Sequence, residues 1–142
     1  MKTVLCRRIL TAVLVAMATV ISISSCGKKS AADEMEAAIK ETRKQLPSRV
    51  DDDLTWVDVS DDRSANEIVV DYASDQYYSF TPEMVQMIHE SMAGLILPAF
   101  EGDGQDVVNL LRELRPNVRY IFRWASNGQV LIDDTCTADE YL

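Results

Sequence analysis

"VRYIFRWASNGQVLIDDT", residues 118–135, is the stretch whose reading decides the fold. Val118, Tyr120, Phe122 and Trp124 alternate with Arg119, Ile121 and Arg123, the period of two of a strand with one buried face. Ser126-Asn127-Gly128 then supplies a turn, and residues 130–135 return as a second strand. Register selects the loop. A two-residue loop at Asn127-Gly128 would set Phe122 opposite Asp133 and Arg123 opposite Ile132, mixing apolar with charged on both faces. A three-residue loop with Gly128 in the left-handed conformation shifts the pairing by one, so that Trp124 faces Val130 and Phe122 faces Ile132. The spacing therefore predicts the three-residue loop, with Arg119 and Arg123 near Asp133 on the solvated face.

Upstream, Leu54 to Val59 and Glu67 to Tyr72 are two further β-rich runs, separated by the polar loop "SDDRSAN" (residues 60–66), and read as a second antiparallel hairpin. Helices fill the remainder. Ser30-Ala31-Ala32-Asp33 has capping-box spacing, Met35, Ile39, Thr42 and Leu46 share a face, and Pro47 stops a helix predicted over residues 31–46. Thr81-Pro82 caps another, whose stripe of Met84, Val85, Ile88, Met92, Leu95 and Ile96 ends near Pro98. After "EGDGQD" (residues 101–106), Val107, Val108, Leu110, Leu111 and Leu114 continue as one long helix or a second short one. The expected fold class is α+β: a small four-stranded, mainly antiparallel sheet of two hairpins, with helices packed on one face.

The first thirty residues carry a different signal. Lys2, Arg7 and Arg8 precede fifteen apolar or small residues, 9–23, then Ser24 and Ser25. That is a secretory layout, and its core spans only roughly 22 Å as a helix, short of the roughly 30 Å of a bilayer interior. Ile23-Ser24-Ser25-Cys26 resembles the lipobox of bacterial lipoproteins. The resemblance implies removal of residues 1–25, acylation of Cys26 and attachment to the lipid bilayer, with residues 26–32 as lipidated terminus and tether and residues 33–142 as one domain. Each buried methylene adds about 0.8 kcal/mol, so two or three chains anchor effectively permanently. Lys28 and Lys29 then sit beside the headgroups. Gly27, rather than Asp, after the lipidated cysteine resembles outer-membrane routing, and the absence of an acidic patch there points to a domain facing the periplasm. From "LPSRVDDDLTWVDVS" onward the mature chain resembles small bacterial lipoproteins of α–ββ–α–ββ layout, a resemblance that implies no activity.

Composition bounds the partners. Loss of Lys2, Arg7 and Arg8 with the signal, and of no acidic residue, moves the formal charge from −9 to −12. Such a chain is repelled by nucleic acid. Cys6 leaves with the signal and lipid takes Cys26, so Cys136 stands alone, read as a small strand residue rather than a disulfide half, nucleophile or ligand.

Residues that carry chemistry are sparse. His89, the chain's single histidine, falls in the row Val85, His89, Met92, Ile96 and reads as the edge of a packed stripe without an orienting partner, since Glu90 points to another face. Asp51-Asp52-Asp53, Asp61-Asp62 and Asp133-Asp134 offer oxygens to a hard cation, yet the best local run, residues 101–106, lacks the sixth-position glycine and puts Arg112 where an EF-hand needs a bidentate Glu. They read as solvated groups, and no metal or cofactor is expected. No GxSxG, phosphate loop, dinucleotide fingerprint or zinc spacing is present. The leading expectation is a non-enzymatic, lipid-anchored envelope protein that binds another envelope protein or modulates an assembly. Tyr77 and Tyr78, in "DQYYSF" (residues 75–80) between strand and helix, are the candidate partner contacts. Two alternatives stand beside it: a small cell-wall-acting hydrolase, which needs a carboxylate pair converging in a cleft, and an immunity or inhibitor lipoprotein whose acidic face occupies a basic partner.

Overall fold

The structure is a computed structural model describing residues 30–99 and 105–142. In chain order its elements are α1 (Ala31–Arg43), β1 (Ser48–Arg49), β2 (Leu54–Asp62), β3 (Glu67–Ser74), α2 (Pro82–Ala99), α3 (Gln105–Leu114), β4 (Asn117–Trp124), β5 (Val130–Cys136) and α4 (Ala138–Tyr141). The five strands form one sheet in the order β1-β2-β3-β4-β5. The class is α+β, and two details differ from expectation. The sheet has five strands, the extra one being two residues paired with Thr55 and Trp56. At its centre β3 and β4 run parallel, from Glu67 opposite Asn117 to Ser74 opposite Trp124. Helices α2 and α3 carry the chain back to the end where β3 began, so the second hairpin enters alongside the first in the same direction.

Local chemistry explains the element ends. Ser30 Oγ accepts from the Asp33 amide at 3.2 Å, satisfying one of the free N–H groups at the start of α1. The helix stops at Arg43, three residues before its predicted end. Leu46 precedes a proline and is held out of helical geometry, and the amides of Gln45 and Leu46 close the last turn on Thr42 and Arg43 carbonyls. Met84 donates its amide to Thr81 Oγ1 at 3.3 Å, capping α2 as the sequence implies. In the β2–β3 turn, Asp62 Oδ1 accepts from the amides of Ser64 and Ala65, and Asn66 takes the left-handed conformation with φ 49°.

Alternation along the strands sends Leu54, Trp56 and Val59 (β2), Ile68, Val70 and Tyr72 (β3), Val118, Tyr120 and Phe122 (β4), and Ile132 and Cys136 (β5) into one core. Helices supply Met35 and Ile39, Met84, Ile88, Met92 and Ile96, and Val107, Val108, Leu110 and Leu111. On the other face Arg119 grips Asp133 through two bonds of 2.7 and 2.6 Å, as the register argument expects. Arg123 departs from it, reaching Asp71 on the parallel neighbour β3 at 3.1 Å instead. Gly128 is left-handed, φ 75°, as predicted. A bulge next to the loop, however, sets Val130 opposite Arg123 rather than Trp124, while Phe122 keeps Ile132. Trp124 closes the loop by donating its amide to the Gln129 carbonyl at 2.8 Å.

Candidate functional site

Two places gather chemistry. The first is the end of the sheet where β3 and β4 finish. Asp75 donates its amide to the Asp53 carbonyl and Ala125 donates to that of Ser74, both at 2.8 Å, which ties the β1–β2 loop, the segment after β3 and the β4–β5 loop into one surface. Tyr77 stands out of it, 53% exposed, with its ring edge-on to Trp124 at 5.3 Å between centroids. Adjacent Tyr78 is turned inward. Its hydroxyl lies 3.4 Å from Asp53 Oδ2 and 3.5 Å from Gln76 Oε1, and its ring leans on Phe80. The two candidate contacts are thereby separated into an exposed tyrosine and a half-buried one turned toward Asp53 and Phe80. Around them lie Asp51, Asp52, Asp53 and Asp75, against which stands Arg49, itself paired with Asp75.

The opposite end of the sheet is fixed to the N-terminus of α1. Arg63, in the β2–β3 turn, reaches Asp33 at 2.9 Å and Glu36 at 2.8 Å, both in the first two turns of that helix. At the other end of α1, Arg43 pairs with Asp58 in β2 at 2.9 Å. The helix therefore lies along β2, and Ser30 emerges at the end remote from Tyr77. Nine residues of β2 separate the ends by roughly 30 Å. Cys26, the residue of the lipobox, lies outside the described residues, as do residues 101–104 of the acidic run considered for calcium. Among the described residues no helix is long and apolar enough to cross a membrane, and no group of three or more His, Cys, Asp or Glu has the geometry to hold a metal ion.

The second place is the groove beside His89, about 550 Å³, lined by Val85, Gln86, His89, Glu90, Ala93, Asp134 and Glu140. Here the sequence reading of His89 is corrected: the residue has partners on both ring nitrogens. Nδ1 lies 2.7 Å from Asp134 Oδ2 and Nε2 lies 2.9 Å from Glu140 Oε1. Tyr120 donates its hydroxyl to the same Asp134 oxygen. Burial pulls the imidazole pKa down, but the hydrogen bonds and charges of Glu140 and Asp134 outweigh it and leave it above the usual value. Glu140 is held below the usual range, first by the Thr137 amide and then by His89. Cys136 is fully buried beneath this cluster. Its thiol points to the His89 carbonyl at 3.8 Å rather than to the ring, and burial pushes its pKa up to about 12. No sequence signal marks the cluster, because its partners lie 45 and 51 residues from His89.

No protein-family model matches the chain, and neither does any curated protein. Among solved structures, one similar chain is a protein of Pseudomonas aeruginosa described as secreted, with a TM-score of 0.49 and 11% identity over 82% of this chain and 100% of that one. Another is the type II secretion system pilotin AspS from Vibrio cholerae, with a TM-score of 0.46 and 15% identity over 99% of both chains.

Proposed function

We propose that this chain is a non-enzymatic cell-envelope lipoprotein, anchored through Cys26 to the outer membrane on its periplasmic side, whose domain docks a protein partner carrying basic residues. The observation that carries the docking surface is Tyr77, half-exposed and stacked edge-on against Trp124 at the end of the sheet remote from Ser30. A tyrosine with two rotatable side-chain angles presents a large amphipathic surface at low entropic cost. The acidic groups around it steer basic surfaces toward it, and a Lys or Arg laid over an exposed aromatic face gains about 0.5–1 kcal/mol. A tether at one end and a contact surface at the other let the domain reach a partner away from the bilayer to which it is held.

The non-enzymatic part of the proposal draws support from the groove. A hydrolase reading needs carboxylates free to act on a substrate; here Asp134 and Glu140 each engage His89, and both ring nitrogens are taken in turn.

A photoreactive residue placed at position 77, and in a second strain at exposed position 40 on α1, tests the surface in intact cells. Light-dependent adducts at 77 and none at 40 are expected; equal adducts at both positions would sink the docking surface. Cys26→Ala is expected to release the protein from the membrane fraction, and its quantitative retention there would overturn the anchor.

A further inference from the structure

We infer that His89 is a protonation-controlled latch: its imidazolium, bonded on both nitrogens, clasps β5 and helix α4 to helix α2, and loss of the ring proton breaks the tie between α2 and α4 and loosens α4. The geometry requires the charged ring. A neutral imidazole has one N–H and one lone pair, and a carboxylate only accepts. With Asp134 Oδ2 at one nitrogen and Glu140 Oε1 at the other, both contacts exist together only while both nitrogens carry hydrogen. Remove one proton and a ring lone pair faces a carboxylate oxygen.

The surroundings decide which contact breaks. Asp134 belongs to a strand hydrogen-bonded along β4, and its oxygen is also held by the Tyr120 hydroxyl. Glu140 sits on a four-residue helix and is the more exposed of the two, 41% against 25%. The neutral tautomer therefore keeps Nδ1–H on Asp134 and turns its lone pair toward Glu140. Glu140 retains its bonds to the Thr137 amide and hydroxyl, so the capping box of α4 survives while its bridge to α2 is lost. What then holds α4 is the Tyr141 hydroxyl on the Pro116 carbonyl at 2.6 Å, the Arg115–Asp139 pair, and the buried faces of Ala138 and Tyr141.

The other titratable groups facing the ring do not oppose this assignment. Glu90 on α2 lines the same groove and adds negative charge. Tyr120 on β4 is pushed well above its usual range by burial and by Asp134, and Cys136 on β5 up to about 12, so both stay neutral while His89 titrates. With a folded pKa above the unfolded one, the latch's contribution is complete below the ordinary histidine value of about 6.5 and is lost as pH rises through the folded value. The latch is shut on the acid side and opens on the alkaline side.

Because the chain has a single histidine, its imidazole proton signal in NMR is unambiguous. The purified full-length protein, titrated from about pH 5 to about pH 9, is expected to show an imidazole midpoint above about 6.5, with the amides of residues 138–142 shifting at that same midpoint. Exchange of those amides, corrected for its intrinsic pH dependence, is expected to accelerate by about tenfold across the transition while β3 amides do not respond. In His89→Gln the helix amides are expected to exchange about tenfold faster at low pH, with no transition. Glu140→Gln tests the same clasp with the histidine in place and is expected to lower the imidazole midpoint. Helix amides indifferent to the histidine midpoint, or a midpoint unmoved in Glu140→Gln, would overturn the latch.

Discussion

Removing the hydroxyl of Tyr72 is expected to stabilise the protein, although Tyr72 is among the most buried residues of its core. The ring is completely covered, stacked on Phe122 at 5.1 Å and on Trp56 at 6.5 Å. Its hydroxyl has no hydrogen-bond partner among the described residues, and burial pushes the phenol far above its usual pKa. Leaving such a group unsatisfied costs about 1–3 kcal/mol, whereas Phe keeps both ring contacts and forfeits only the packing of one oxygen atom. Tyr72→Phe is thus worth about +1 kcal/mol, or about 4 °C in Tm for a domain of this size. Tyr141→Phe is the matched control. Its hydroxyl donates to the Pro116 carbonyl at 2.6 Å, so the same chemical change there is expected to cost about 1 kcal/mol. Urea denaturation with an unchanged m-value reads both. Equal destabilisation by the two substitutions would refute the reasoning.

Ile88, 1% exposed on the inner face of α2, is expected to cost about 2–5 kcal/mol when cut to Ala, read as a lowered Tm. For Arg119→Ala the expected loss is below about 1 kcal/mol because both partners are over a third exposed, and it is pH-dependent. The hydrogen bond from Arg119 holds the Asp133 carboxyl below its usual range, so the pair contributes above about pH 4 and its contribution fades as pH falls through the folded value. Denaturation curves of wild type and variant should converge in acid. Gly128→Ala meets nothing within 4 Å, so its expected cost of about 1 kcal/mol is purely that of a side chain at φ +75°, and Gly128→Asn should recover part of it. The Cys136 thiol, fully buried and pushed up to about 12, is expected to resist maleimide at neutral pH and to react at an ordinary rate in denaturant.

Much of the fold was legible where short-range chemistry decides it. The alternation of residues 118–124, the left-handed Gly128, the Ser30 and Thr81 caps, the apolar stripe of α2 and the Arg119–Asp133 pair follow from spacing alone. What escaped depends on contacts between distant residues. β1 is two exposed residues and is a strand only because Thr55 and Trp56 lie opposite. The parallel pairing of β3 with β4 is set by where α2 and α3 return the chain, and the four residues of α4 are too few to show a helical period. The bulge at Trp56 to Asp58 has no glycine to announce it, and the lone-histidine reading failed because topology, not spacing, brings Asp134 and Glu140 to His89. Position between strand and helix singles out Tyr77 and Tyr78 together as candidate contacts, yet adjacent residues of an extended segment point to different sides, and of the two Tyr77 is the one presented outward.

The central claim, that the Tyr77 end of the sheet docks a basic partner, is tested most directly by calorimetry with the protein that cross-links at position 77. The account predicts binding that weakens as salt is raised and falls by about tenfold or more in Tyr77→Ala. Affinity unchanged by both the salt and the substitution would contradict it.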